Sequence, residues 1–275
     1  LIVAIGSYLI SSCTPIAKQL IPITSEDDYS IYLPLLQNGR EIVLPPAPVY
    51  PLVHVPFKQT DDFFKDNFTE MAVFWFGKVE VNTNYYDVRI GYSNDSLYVY
   101  LAAFDRLLWY DTTPTAAELS NWDSISLFIN PSSSNQLANQ QAMKFVGSLA
   151  PNELPRDQFQ AAYRWDGSQW KRGNYAFTTI PGWRGEALND PNDDRGWTIG
   201  FKIPFSSLAI SQPPPESTIW RMSILAHDRD YLDSSNISPQ SWPDVFEQNE
   251  ASNWGTISFG LLPEGLMSAK SSRVL

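Results

Sequence analysis

Cysteine is almost absent from this chain of 275 residues; Cys13 is the only one. A single thiol excludes an intramolecular disulfide framework, a CxxCH haem attachment and a zinc ribbon. Basic residues are scarce too. Against 30 acidic residues stand 19 lysines and arginines, a formal net charge of −11. Nucleic acid and anionic lipid surfaces need a basic footprint, so neither is expected as the main partner. Also missing are a GxGxxG fingerprint, a P-loop, an internal repeat and a GxSxG elbow around the serines of FSSLAI. Acids are numerous, but none sits in a recognisable carboxylate pair or Ser/His/Asp set. The chain is therefore expected not to be an enzyme.

What is present is aromatic and proline-punctuated. There are 10 Trp, 13 Tyr and 21 Pro, and hydrophobic residues make up 43%, enough for a large core. Such a composition, poor in helix formers, points to an all-β exported domain.

The chain opens on the uncharged run LIVAIGSYLISS, which leads into Cys13. Leu9-Ile10-Ser11-Ser12-Cys13 resembles a bacterial lipobox, with an aliphatic residue and two small residues before the thiol that takes the lipid. The alternatives are a retained membrane anchor and an ordinary signal-peptide core. The run falls short of the ~20 apolar residues that span a bilayer alone. Either anchor places the protein on the extracytoplasmic face of the cell membrane, periplasmic or at the cell surface.

Four segments follow from the pattern. Residues 1–13 form the anchor segment. Residues 14–56 read as an extended tether, with Pro45, Pro46, Pro48, Pro51 and Pro56 blocking helix and removing ladder donors. Apolar residues between those prolines (Val43, Leu44, Val49, Val53, Val55) suit an arm lying on a surface, its own domain's or a partner's. Residues 57–263 read as an antiparallel β-sandwich, and residues 264–275 as a tail. Within the sandwich, Val88, Ile90 and Tyr92 alternate, SNDS turns, and Leu97, Val99 and Leu101 alternate. FQAAYRWDGSQWKRGNYAF reads as a hairpin turning at Asp166-Gly167. Residues 114–121 and 136–146 read as short helices or loops.

Several pieces in order resemble the family 9 carbohydrate-binding modules and their DOMON-like relatives. They are DVRIGYSNDSLYVYLAAFD, NWDSISLFINPSSS, RGWTIGFKIPFSSLAI, WRMSILAHDRD and NWGTISFG. The resemblance covers roughly residues 60–260. It implies a β-sandwich that is used elsewhere for sugar binding, for b-haem binding in electron-transfer subunits, or as a plain accessory domain.

Each use makes demands on residues. Sugar binding needs flat aromatic faces, and the loop-placed aromatics are Trp109, Tyr110, Trp183 and Trp242; Trp165, Trp170, Trp197, Trp220 and Trp254 fit core or edge packing. Haem needs axial ligands, for which His54, His227, Met71, Met143, Met222, Met267 and Lys144 are the candidates. Calcium needs hard oxygens on loops. NDPNDDRG offers Asn189, Asp190, Asn192, Asp193 and Asp194, and HDRDYLD offers Asp228, Asp230 and Asp233, neither with EF-hand spacing; solvated acidic turns are the plainer alternative. The main expectation is a non-catalytic, membrane-anchored accessory subunit held by other protein subunits of a bacterial complex. An electron-transfer complex resembling alternative complex III would be such a host. The alternatives are a cell-surface carbohydrate-binding lipoprotein and a b-haem electron-transfer subunit. No cofactor is required; structural calcium and a lipid on Cys13 are the candidates.

Overall fold

The structure is a computed structural model that describes residues 23–24, 30–31, 35–37, 40–42, 51–59, 71–80, 83–132, 141–232 and 239–260. Cys13 and its leader, the first three tether prolines, Asp233, Met267 and the tail lie outside these residues. The chain divides into two compact units, Leu1–Val49 and Tyr50–Leu275. In the first, β1 (Ile23–Thr24) pairs with β2 (Ser30–Ile31), and β3 (Leu35–Gln37) with β4 (Arg40–Ile42), both antiparallel. Among the described residues no helix is long and apolar enough to cross a membrane.

The second unit is a β-sandwich. Its strands are β5 (Leu52–Val55), β6 (Ala72–Glu80), β7 (Thr83–Tyr92), β8 (Ser96–Phe104), β9 (Ser124–Asn130), β10 (Met143–Ser148), β11 (Gln160–Trp165), β12 (Trp170–Gly173), β13 (Thr178–Trp183), β14 (Trp197–Pro204), β15 (Ile219–His227), β16 (Gln240–Trp242) and β17 (Gly255–Phe259). The larger sheet runs β12-β11-β10-β9-β15-β17-β5, with β16 also on β15; the smaller runs β13-β14-β8-β7-β6. Pairing is antiparallel except between β17 and β5. The edge strand β5 comes from the stretch read as tether. Pro51 and Pro56 bracket it without interrupting its ladder, the position proline tolerates in a sheet.

Alternation decides which side chains face inward. Val88, Ile90, Leu97, Val99, Leu101, Ile199 and Phe201 of the smaller sheet meet Ile125, Leu127, Ile129, Phe145, Met222 and Ile224 of the larger one. Each such side chain contributes about 1.5–3 kcal/mol by leaving water. The larger sheet is also covered on its far side, where Phe128, Trp165, Leu225 and Trp254 form a second cluster. All seven residues of β9 are consequently buried.

Residues 143–146, read from the sequence as helix or loop, belong instead to the central strand β10. Met143 and Phe145 pack inward while Lys144 faces outward over the Tyr163 ring. The Gln- and Ala-rich run before them masks this short alternation.

Candidate acidic cleft at one end of the sandwich

Three strand ends meet at one end of the sandwich. Asp105 follows β8, Asp123 precedes β9, and Asp228 follows β15. Ser124 pairs with His227, which makes Asp123 and Asp228 neighbours on the larger sheet. Asp105 arrives from the smaller sheet, so the cluster ties the two layers together. One carboxylate oxygen from each lies within 4.8 Å of the other two, and the three residues are 3, 0 and 5% exposed.

Backbone amides hold part of this charge. Asp123 accepts the Trp109 N–H at 2.7 Å and the Arg229 N–H at 2.9 Å, one on each oxygen. Asp105 accepts the Leu107 N–H at 3.1 Å through Oδ1. Asp105 Oδ2 and Asp228 Oδ1 have no hydrogen-bond partner among the described residues.

Burial pushes the carboxyls of all three up, and the charges of neighbouring aspartates add to it. Asp228 is pushed up to about 7, first by burial and then by the charge of Asp230. The buried Tyr86 phenol behind them is raised as well, by burial and then by Asp228, Asp105 and Asp123. A trio of buried like charges holds protons or a counter-ion. Hard oxygens with two orphaned atoms fit a Ca²⁺-type cation, which takes six to eight oxygen ligands.

Asp105 and Asp228 of this cluster open onto a cleft of about 420 Å³. Phe104 and Tyr231, 59% and 57% exposed, line it together with Asp228 and Asp230. The Phe104 ring leans on Tyr85, with centroids 5.5 Å apart and planes at 58°. The cleft thus joins apolar ring faces to hydrogen-bonding oxygens, the combination that pyranose rings and their hydroxyls require.

Comparison with protein-family models found no match, and comparison with curated proteins found none either. Solved structures do match. A candidate carbohydrate-binding protein from Bacteroides uniformis aligns over 77% of this chain and 100% of its own, with TM-score 0.56 and 10% identity. A family 9 carbohydrate-binding module from Caldicellulosiruptor kristjanssonii, solved with cellotriose, aligns over 78% of this chain and 96% of its own, with TM-score 0.50 and 14% identity. The fold is similar to that of family 9 carbohydrate-binding modules. At such identity the likeness concerns the fold, and the chemistry rests on this chain's own residues.

The aromatics singled out in the sequence do not gather at the cleft. Trp109 is 8% exposed, and Trp242 is 6% exposed and packs on Phe74 with centroids 4.6 Å apart. Tyr110 and Trp183 are half-buried and pack against the core, Trp183 also lining a second hollow beside Phe104. The tryptophans read as core fare as that reading implies, Trp254 and Trp197 being buried. Trp75, 64% exposed on β6, was not singled out.

The acidic runs are split. Asp228 joins the buried cluster, while Asp230 and Asp194 line the cleft. Asp193 instead accepts two hydrogen bonds from Arg106 Nη2, at 2.8 and 3.0 Å. Asp190 accepts the Asn192 N–H at 2.8 Å within its own turn. Asn189 accepts the Tyr110 N–H at 2.7 Å. Asp105 and Asp123 were missed as ligands, although each stands at a strand end inside the motifs LAAFD and NWDSIS. Of the haem candidates, Met143 and Met222 are fully buried in the core. Burial and the nearby Lys144 charge lower the pKa of His227 to about 4.

Proposed function

We propose that this chain is a non-catalytic carbohydrate-binding protein whose end cleft sets aromatic faces over a cation-holding acidic floor. The observation that carries it is the placement of exposed Phe104 and Tyr231 in one cleft with Asp228 and Asp230. The fold's likeness to a module solved with cellotriose supports a sugar as the ligand. Asp105, Asp123 and Asp228 would hold calcium, whose charge would offset theirs. The apolar leader, with Cys13 lipidated or retained in the membrane, would anchor the protein on the extracytoplasmic face.

Raised carboxyls in a cleft also suggest glycoside hydrolysis. In that reaction two carboxyls face each other across the scissile bond. Here the three sit in one cluster on one side of the cleft, and both oxygens of Asp123, which does not line the cleft, are occupied by backbone amides. Binding is therefore the better-supported reading. The b-haem reading makes no use of the cleft, and its methionine candidates Met143 and Met222 sit in the core.

A panel of soluble oligosaccharides titrated calorimetrically against the full chain tests the proposal. At least one series is expected to bind, and Tyr231→Ala to weaken it about tenfold, the loss of one stacking contact. Absence of binding across the panel, with and without calcium, would sink the reading.

A further inference from the structure

We propose that the end cleft continues onto the outer face of the smaller sheet, forming one groove that takes several consecutive units of a linear oligosaccharide. Phe104 is the stacking platform where the two parts join. This rests on the carbohydrate reading above and adds to it the length of ligand and the residues that set that length.

A second hollow of about 430 Å³ lies on the outer face of the sheet formed by β8, β14 and β13. Register explains its shape. Ala102 pairs with Thr198, and Thr198 with Gly182. Small residues thus follow one another across three adjacent strands and lower the sheet surface there. Tyr100 and Phe104 point to the same face two residues to either side of Ala102. The trough between them runs for roughly 13 Å along β8, at the rise of an extended strand. That is longer than a single pyranose ring.

The two hollows share Phe104 and Arg195 in their linings. Their junction has a structural cause. Gly196 has a φ of +104°, and a Cβ there would lie 2.1 Å from the Ala103 carbonyl oxygen. Only glycine lets β14 begin flush against the end of β8, so no side chain at 196 walls one hollow from the other. Arg195 and Arg184 stand beside the junction, joined through the Arg195 N–H to the Arg184 carbonyl at 2.8 Å. Among the described residues neither guanidinium has an ion-pair or hydrogen-bond partner, leaving five donors each for ligand hydroxyls. Phe104 is 59% exposed and is braced from one side by Tyr85. A chain passing over the rim would stack one ring on Phe104, with further units in the acidic cleft and over Ala102.

The test is a length series. Linear gluco-, xylo-, manno- and galacto-oligosaccharides of one to six units are titrated against the full chain and three variants. In the series that binds, affinity should rise about tenfold or more from one unit to four, since each added stacking or hydrogen-bonding contact is worth about that factor. Arg184→Ala, which lines only the outer hollow, should remove most of this gain and leave single-unit binding nearly unchanged, whereas Phe104→Ala, at the junction, should both weaken short ligands and remove the gain. Tyr231→Ala, at the far side of the end cleft, should weaken short and long ligands alike. Equal affinity for one and six units, or a length gain untouched by Phe104→Ala and Arg184→Ala, would overturn the groove while leaving carbohydrate binding intact. Failure of every series to bind would overturn both.

Discussion

The buried carboxylate of Asp123 accepts the Trp109 backbone N–H at 2.7 Å. Its other oxygen accepts the Arg229 N–H at 2.9 Å. One side chain thus pins the loops that follow β8 and β15 to the start of β9. The cleft floor exists because those loops are held there.

Removing this clamp should be costly. Asp123→Ala leaves two amides without their acceptor, at about 1–3 kcal/mol for each buried unpaired group. The variant is expected to lose about 3 kcal/mol in urea unfolding. An unchanged unfolding midpoint would contradict the structural role.

Stability of the cation-free protein should depend on pH through the same trio. Their folded pKa values are raised, so the native state binds protons that the unfolded state releases. Their contribution favours folding near pH 4, and it is lost as pH climbs through the folded values, about 7 for Asp228. Calcium competes with those protons. It should therefore raise Tm more at pH 8 than at pH 5, by about 5–10 °C when in hundredfold excess over its Kd. Differential scanning fluorimetry with calcium and with chelator would show this. A calcium effect that is larger at pH 5 would refute the assignment.

His227 should impose the opposite slope. It lies 3.5 Å from Ser126 Oγ, and burial with the Lys144 charge lowers its pKa to about 4. The unfolded chain takes up a proton near pH 6.5 that the native state refuses. Its contribution is complete above that pH and is lost as pH falls toward 4. Relative to His227→Asn, the wild type should lose about 3 kcal/mol across this window, at 1.36 kcal/mol per pKa unit. A flat difference between pH 7 and 4 would mean that the ring titrates normally.

Trp242 and Trp109 should behave as packing residues. Trp242 reaches from β16 across to Phe74 on β6, closing one side between the sheets. Trp242→Ala is expected to cost about 3–5 kcal/mol, the usual range for deleting a buried Trp or Phe. A variant that kept full stability yet lost only sugar binding would restore Trp242 as a platform.

The alternation of Val88, Ile90 and Tyr92, then Leu97, Val99 and Leu101, sufficed to read a hairpin and its inward face. The turn signals at SNDS and Asp166-Gly167 sufficed to place two reversals. Side-chain direction in a strand depends on neighbouring residues alone, so such features are legible from a short window. Met143–Ser148 escaped because a strand of six residues after a Gln- and Ala-rich run carries little local signal, and pairing with β9 and β11 selects it.

The site was legible only in fragments. Asp228 stood out beside Asp230, but Asp105 and Asp123 look like ordinary turn acids until sheet pairing brings three distant strand ends together. Trp109 and Trp242 lie in loop-like sequence, yet whether a ring is a platform or a plug depends on what packs over it. Strand period, turn chemistry and net charge are properties of adjacent residues or of their sum, and the chain alone determined them. Which carboxylates share a floor, and which aromatics face water, depends on contacts between residues far apart in sequence, and only the tertiary structure decided it.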